Sequence, residues 1–488
     1  MAKVRQPKIQ IWLQKNVSRT MLAGGVPASQ RYSGRAPVVD LSPYLGDHGA
    51  VRVMKSVRSA AGSFSITLAD RVNPDGLDSM YGLIEPMDMI EIRLVSDAYL
   101  IGAQTNFPVL MRGFVSDVSR SEGMDGQGKP QRSVTITGQD YGKIWQIQQL
   151  FLMPFLPADA TAMLSSFPFF ARFGIGGDIQ PAATFAQSVV DKLLNPYLAS
   201  MSKEDISPVQ LLGTDISVTD GAVSPFGLGG WSGGSVYALL MQFGDVGPWN
   251  ELFIEDRDDR PYLVYRPNPF MSADGSEFIL PQATENGPGF IPITASDVMG
   301  LQATRSDCDL ANYFWVDAPT YAMTRPEIQR LDTYQGDPES LFVTNYGNVD
   351  PTLYGTRRMT EQTQQANPAD VLQGVGQPAG AARDAANLTA AQWITRRRKQ
   401  LIDQNRDNVM FERGAMRLKG NHLIRAGKYV RLARGRMVSD YYAVAVTHDY
   451  LPFGHYVTSV QFERGTGFID RAQMAAPGYS ERAVTDVE

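Results

Sequence analysis

Residues 249–267 read WNELFIEDRDDRPYLVYRP. Two β-favouring runs, 252–254 (LFI) and 262–265 (YLVY), flank Glu255, Asp256, Arg257, Asp258, Asp259 and Arg260. An apolar run, a short charged turn and a second apolar run braked by proline predict a β-hairpin. The alternating signs of the turn suit a solvated tip. They also argue against a glycosidase pair at Glu255-Asp256 or Asp258-Asp259, since each carboxylate has an arginine beside it.

Working outward, the chain before this hairpin is written in strands. Residues 8–13, 51–57, 63–68, 87–95, 109–118 and 132–137 are strand candidates. In SFSITL the alternation puts Phe64, Ile66 and Leu68 on one face. Turns such as NPDG at 73–76 and MDGQGKP at 124–130 separate them, which predicts a small barrel or sandwich over 5–150. From Tyr141 to Leu150 the spacing turns helical, with Ile144, Ile147 and Leu150 on one stripe. Residues 151–245 differ in kind: rich in Met, Phe, Ala and Leu and broken by GIGGD and FGLGGWSGG, they predict a helical insertion with loops. Within it, 184–194 reads as an amphipathic helix ending at Asn195-Pro196.

After the hairpin, 246–320 returns to strands, including EFILP and NYFWVDAP. Residues 321–408 read as a linker and helical segment: polar and punctuated by Tyr, Pro and Gly to about 360, rich in Gln, Ala, Asn and Gly over 361–392, then a basic helix at 394–408. Its run Arg396, Arg397, Arg398 and Lys399 predicts a solvated face, with an acidic protein neighbour or DNA as the alternative. Residues 409–470 carry four more strand candidates, in which Tyr442, Val444 and Val446 should share a face. Residues 471–488 form a tail. The fold class expected is mainly β with helical insertions (α+β), built on two barrels.

The 488 residues exceed what one core organises, and 43% hydrophobic with 20% charged residues is a globular composition. A net charge of −6 argues against a dedicated nucleic-acid binder. No apolar run reaches the ~20 residues of a membrane span, and no secretory leader is seen, so an integral membrane protein is not expected. The single cysteine, Cys308, excludes an intrachain disulfide and reads as a core or strand-edge thiol. Four histidines (His48, His422, His448 and His455) leave little for a metal site; His448 and His455 flank a turn, yet only Asp449 stands near as a further ligand. GWSGG at 230–234 sets Ser232 in a nucleophile-elbow pattern, but no strand precedes it. GMDGQGK at 123–129 approximates a phosphate loop, with Pro130 where Ser or Thr would hold magnesium. No catalytic residues, cofactor or metal ligands are expected.

Three further segments are distinctive: SVRSAAGSFSITLADR (56–71) with RGFVSDVSRS (112–121) and RSVTITGQDYGKIW (132–145); the hairpin with SDVMGLQATRSDCDLANYFWV (296–316); and AGKYVRLARGRMVSDYYAVAVTHDYLPFGHYVTSVQFERG (426–465). In that order they resemble the baseplate hub (tail hub) proteins of tailed bacteriophages, a family related to late-control D proteins and the hub half of type VI secretion spike proteins. The resemblance implies two tail-tube-like barrels, one at 5–150 and one split between 246–320 and 409–470. It further implies a homotrimeric pseudo-sixfold ring that joins the tail tube to the central spike and surrounding baseplate wedge proteins. The tape measure protein or DNA would pass transiently through its lumen, with no sequence-specific nucleic-acid recognition; the net charge of −6 predicts that such a lumen is neutral to acidic overall. Localisation would be the virion tail baseplate, with assembly in host cytoplasm. A peptidoglycan hydrolase hidden in 151–245, or a glycan-binding baseplate protein using Trp231 and Trp249, are the alternatives.

Overall fold

The computed structural model describes residues 6–15, 38–46, 49–71, 79–97, 107–124, 128, 130–151, 180–201, 209–223, 233–284, 289–318, 347–365 and 381–474. Its first seven strands are β1 (Lys8–Gln14), β2 (Val38–Asp40), β3 (Ala50–Ser56), β4 (Ser63–Ala69), β5 (Met89–Val95), β6 (Val109–Met124) and β7 (Pro130–Asp140). They pair antiparallel in the order β3-β4-β7-β6-β5-β1-β2. Period-two alternation decides which face is inside. Phe64, Ile66 and Leu68 are buried as expected, in one core with Ile11, Leu13, Ile90, Ile92, Val134 and Ile136. Strands from both ends of the run feed that core, so the sheet curls around it. Ile66→Asp places an unpaired carboxylate there and is expected to abolish soluble expression; normal yield and an unchanged melting curve would contradict this packing.

The later strands are β8 (Gly213–Ile216), β9 (Asn250–Asp256), β10 (Pro261–Pro267), β11 (Phe290–Thr294), β12 (Val298–Thr304), β13 (Tyr313–Asp317), β14 (Arg358–Gln362), β15 (Glu412–Lys419), β16 (Tyr429–Arg434), β17 (Met437–Tyr450) and β18 (Tyr456–Gly465). The large sheet continues through them as β12-β15-β18-β17-β3, with β16 and β11 branching from β17. β17 is the shared member. Its first part pairs with β16, its last six residues pair with β3, and β18 follows it along most of its length. Tyr442, Val444 and Val446 share a second core with Met416, Leu418, Val460 and Phe462. The fold is mainly β with helical insertions.

Of 246–320, only β11 and β12 enter the large sheet. The 249–267 hairpin forms a separate sheet in which β8 runs parallel to β10. The reason is two-sided burial. Leu252, Ile254, Leu263 and Tyr265 face a helical core, whereas Phe253 and Val264 face the second barrel core. That helical core is made by α1 (Gly142–Ile147), α2 (Ala182–Val189), α3 (Asn195–Met201) and α4 (Val236–Phe243). α1 is shorter than the sequence pattern implied, and Ile147 is exposed rather than on the buried stripe. The 184–194 helix does not stop at Pro196: a π turn at Val190–Leu194 links α2 to α3, and proline sits at the start of the new segment. Proline is tolerated in a first helical turn because its missing N–H is not needed there. The basic helix, α5 (Ala381–Asn405), begins well before 394 and packs, through Trp393 and Ile394, with β13 and Trp249 around a fourth core.

Candidate functional site

The charged hairpin turn is solvated at its tip, as expected, but not along its flanks. Asp256 is buried, and the turn docks on β6 of the first barrel. The Arg112 guanidinium, fully buried, donates to the carbonyls of Arg257 (2.5 Å) and Asp258 (2.8 Å) and to Glu91 Oε2 (2.8 Å). The Val109 N–H donates to Asp258 Oδ1 at 3.1 Å. Only Asp258, Asp259 and Arg260 remain exposed.

Behind the turn, Lys55 Nζ on β3 lies 2.6 Å from Asp140 Oδ2 and 2.6 Å from Asp256 Oδ2. Burial pulls the Lys55 pKa down, but the two carboxylates outweigh it and hold the ammonium above its ordinary value. Burial pushes the Asp140 pKa up, with Asp256 adding to the rise and Lys55 opposing it. Asp140 also caps α1, its Oδ1 accepting the Gly142 N–H at 2.8 Å. One cation thus ties the end of the first barrel, the start of the helical layer and the hairpin.

The connection between β15 and β16 closes the joint from the other side. Half-buried Arg425 donates to the carbonyls of Leu110 (2.9 Å) and Val109 (2.7 Å) on β6. His422 Nδ1 accepts the Ser96 N–H at 3.2 Å. His448 lies between the Ile424 carbonyl (3.1 Å from Nε2) and the Tyr456 hydroxyl (2.9 Å from Nδ1). Burial, then the Arg425 charge, lowers the pKa of His422 to about 4 and of His448 to about 3. His448 and His455 do not converge: one is buried in the joint and the other is exposed.

The basic run on α5 divides. Arg397 and Arg398 are buried, against the expectation of a solvated face or an external neighbour. Arg397 Nη2 lies 3.0 Å from Asp245 Oδ2 and 2.6 Å from Gln365 Oε1, and its guanidinium is 5.3 Å from the ring centroids of Trp249 and Trp393. Burial raises the Asp245 pKa, an effect Arg397 partly offsets. Arg398 Nε donates to the Phe314 carbonyl at 3.0 Å. Arg396 and Lys399 are exposed, and Lys399 lies 2.6 Å from Asp403.

Trp249 is fully buried and offers no platform for a glycan; Trp231, Ser232 and most of the 123–129 loop lie outside the described residues. Within 151–245, Asp159, Asp178, Glu204 and Asp205 also lie outside them, while Asp215 pairs with Arg257 and Asp245 with Arg397. Cys308 is exposed, not a core or strand-edge thiol, and its Sγ accepts the Ser306 hydroxyl at 2.9 Å. Among the described residues no cluster of His, Cys, Asp and Glu could hold a metal ion, and no helix is long and apolar enough to cross a membrane. The sequence reading missed Lys55, Arg112, Asp140 and Arg425 as a joint. One signal was available: Arg112 interrupts the apolar run VLMRGFV, where a charge is accommodated only if paired.

No family model matches the chain, and no curated protein matches its sequence. Among solved structures it is similar to a tail protein from Neisseria meningitidis MC58, at 10% identity and a TM-score of 0.45, over 93% of this chain and 96% of that one. It is also similar to the 43 kDa tail protein of prophage MuSo2 from Shewanella oneidensis, at 10% identity and a TM-score of 0.44, over 95% and 99% of the two chains. A third similarity is to an Escherichia coli component of the type VI secretion system, at 6% identity and a TM-score of 0.35, over 85% and 72%.

Proposed function

We propose that the chain is a structural component of a phage tail baseplate, a hub that closes into a homotrimeric ring between tail tube and central spike and encloses a channel. The order of the resembling segments supports the family. The observation that carries the ring is the open-ended sheet. Its eight-strand run from β12 to β6 leaves one side of β12, and the side of the distal half of β6 away from β7, without a strand partner among the described residues. Open edges are a liability unless something pairs with them. Two different edges on one chain make a head-to-tail contact, which closes a ring when the rotation permits. The buried joint supports the same reading, because it makes the two barrels one rigid wedge.

The charged groups of the joint are held by one another and by backbone carbonyls, as a scaffold requires. The test is the mass of the purified chain by light scattering, expected near three times 53.7 kDa, together with a Gln302→Lys/Thr304→Lys edge variant. That variant should remain folded and sediment as a monomer. A native chain that stays monomeric at high concentration, or an edge variant that still forms the trimer, would overturn the ring.

A further inference from the structure

The solvent side of the large sheet has a composition of its own. From β15 across β18, β17, β3, β4 and β7 to β6, the outward positions include Ser459, Thr447, Ser65, Thr67, Thr135, Thr137, Ser119 and Ser121. At one end, β15 turns Arg413, Arg417 and Lys419 outward at alternate positions, all exposed, while Met416 and Leu418 face the core. Alternate residues of a strand stand about 7 Å apart, so the row spans roughly 20 Å. Arg413 is 2.8 Å from Asp309. Arg417 and Lys419 have no ion-pair partner among the described residues. The outward positions also carry Asp117, Asp449 and Glu463; Asp449 lies 3.5 Å from Arg52, and Glu463 pairs with Arg58. Among the described residues, the cations left without an ion-pair partner on this hydroxyl-rich face are therefore Arg417 and Lys419, side by side at its β15 end.

We infer that this face, through Arg417 and Lys419, holds the phosphodiester backbone of a nucleic acid without reading its sequence. Adjacent unpaired cations neutralise phosphates, and neighbouring Ser and Thr hydroxyls donate to phosphate oxygens; a flat sheet face does not enter a groove to read base edges. The inference replaces the neutral-to-acidic lumen expected from net charge, since that total says nothing of how charge is distributed over one face. It rests on the ring reading only for the face pointing into a channel; the phosphate contact belongs to the single chain.

The experiment uses the full chain and a labelled mixed-sequence duplex, with anisotropy read from ~50 to ~200 mM salt. Arg417→Glu/Lys419→Glu is expected to weaken binding at low salt at least tenfold and to reduce the slope of log K against log salt by about 2. Arg396→Glu/Arg436→Glu, an equal charge change at two exposed positions elsewhere, should change affinity less than threefold. Native protein that does not bind the duplex, or equal losses in the two variants, overturns the inference. The mass of each variant separates the two readings: a normal trimer with unchanged duplex affinity defeats the phosphate contact and leaves the ring intact.

Discussion

Lys55→Met is expected to lower stability by about 3–5 kcal/mol, because it leaves Asp140 and Asp256 buried without the cation between them. The largest effect comes from the orphaned charges and not from the lost attraction, so removing those charges should restore much of the loss. Lys55→Met/Asp140→Asn/Asp256→Asn is accordingly expected to melt well above the single variant in urea. A single variant within 1 kcal/mol of the native chain would mean that the ammonium does not hold this joint.

The second large effect is with acid. His422 and His448 are held neutral, with folded pKa values of about 4 and about 3 against an ordinary 6.5. Both are depressed, so the stability they contribute is complete above 6.5 and is lost as pH falls from there toward the folded values. At pH 5 each is expected to withdraw about 2 kcal/mol relative to neutral pH. The groups facing them intensify this: the Arg425 charge opposes protonation of both, and Asp258 offsets it only at His422. Urea midpoints at pH 7.5 and 5.0 read the effect, and His422→Asn/His448→Gln should remove most of the difference. If the native midpoint does not move, or the double variant moves just as far, the histidines are not the acid-sensitive part of the joint.

What the sequence disclosed followed one-sided burial. SFSITL and YYAVAV are legible because one face of each strand meets a core, so period two survives in the text. The 249–267 hairpin is legible as a hairpin but not in its placement. Both of its faces are covered, and a turn written EDRDDR looks the same whether water or the groups of Arg112 satisfy it. α5 misleads for a related reason: its buried side carries Arg397 and Arg398, paired with Asp245 and a carbonyl more than eighty residues away, so the pattern reads as polar all round. The end predicted at Pro196 failed because a π turn resets the hydrogen-bond ladder just ahead of the proline. Lys55, Arg112, Asp140 and Arg425 lie far apart in sequence, and only Arg112 announces itself by interrupting an apolar run.

β17 has a mechanical consequence. It contributes six residue pairs to β3 while remaining part of the second barrel, so the two barrels share a stave instead of meeting across a seam. A pull along the strands loads those cross-strand bonds together, in shear, whereas a pull across them peels the bonds one after another. The chain should therefore resist axial force far better than lateral force, and it should yield first at the β12 edge, where one strand hangs from a single neighbour.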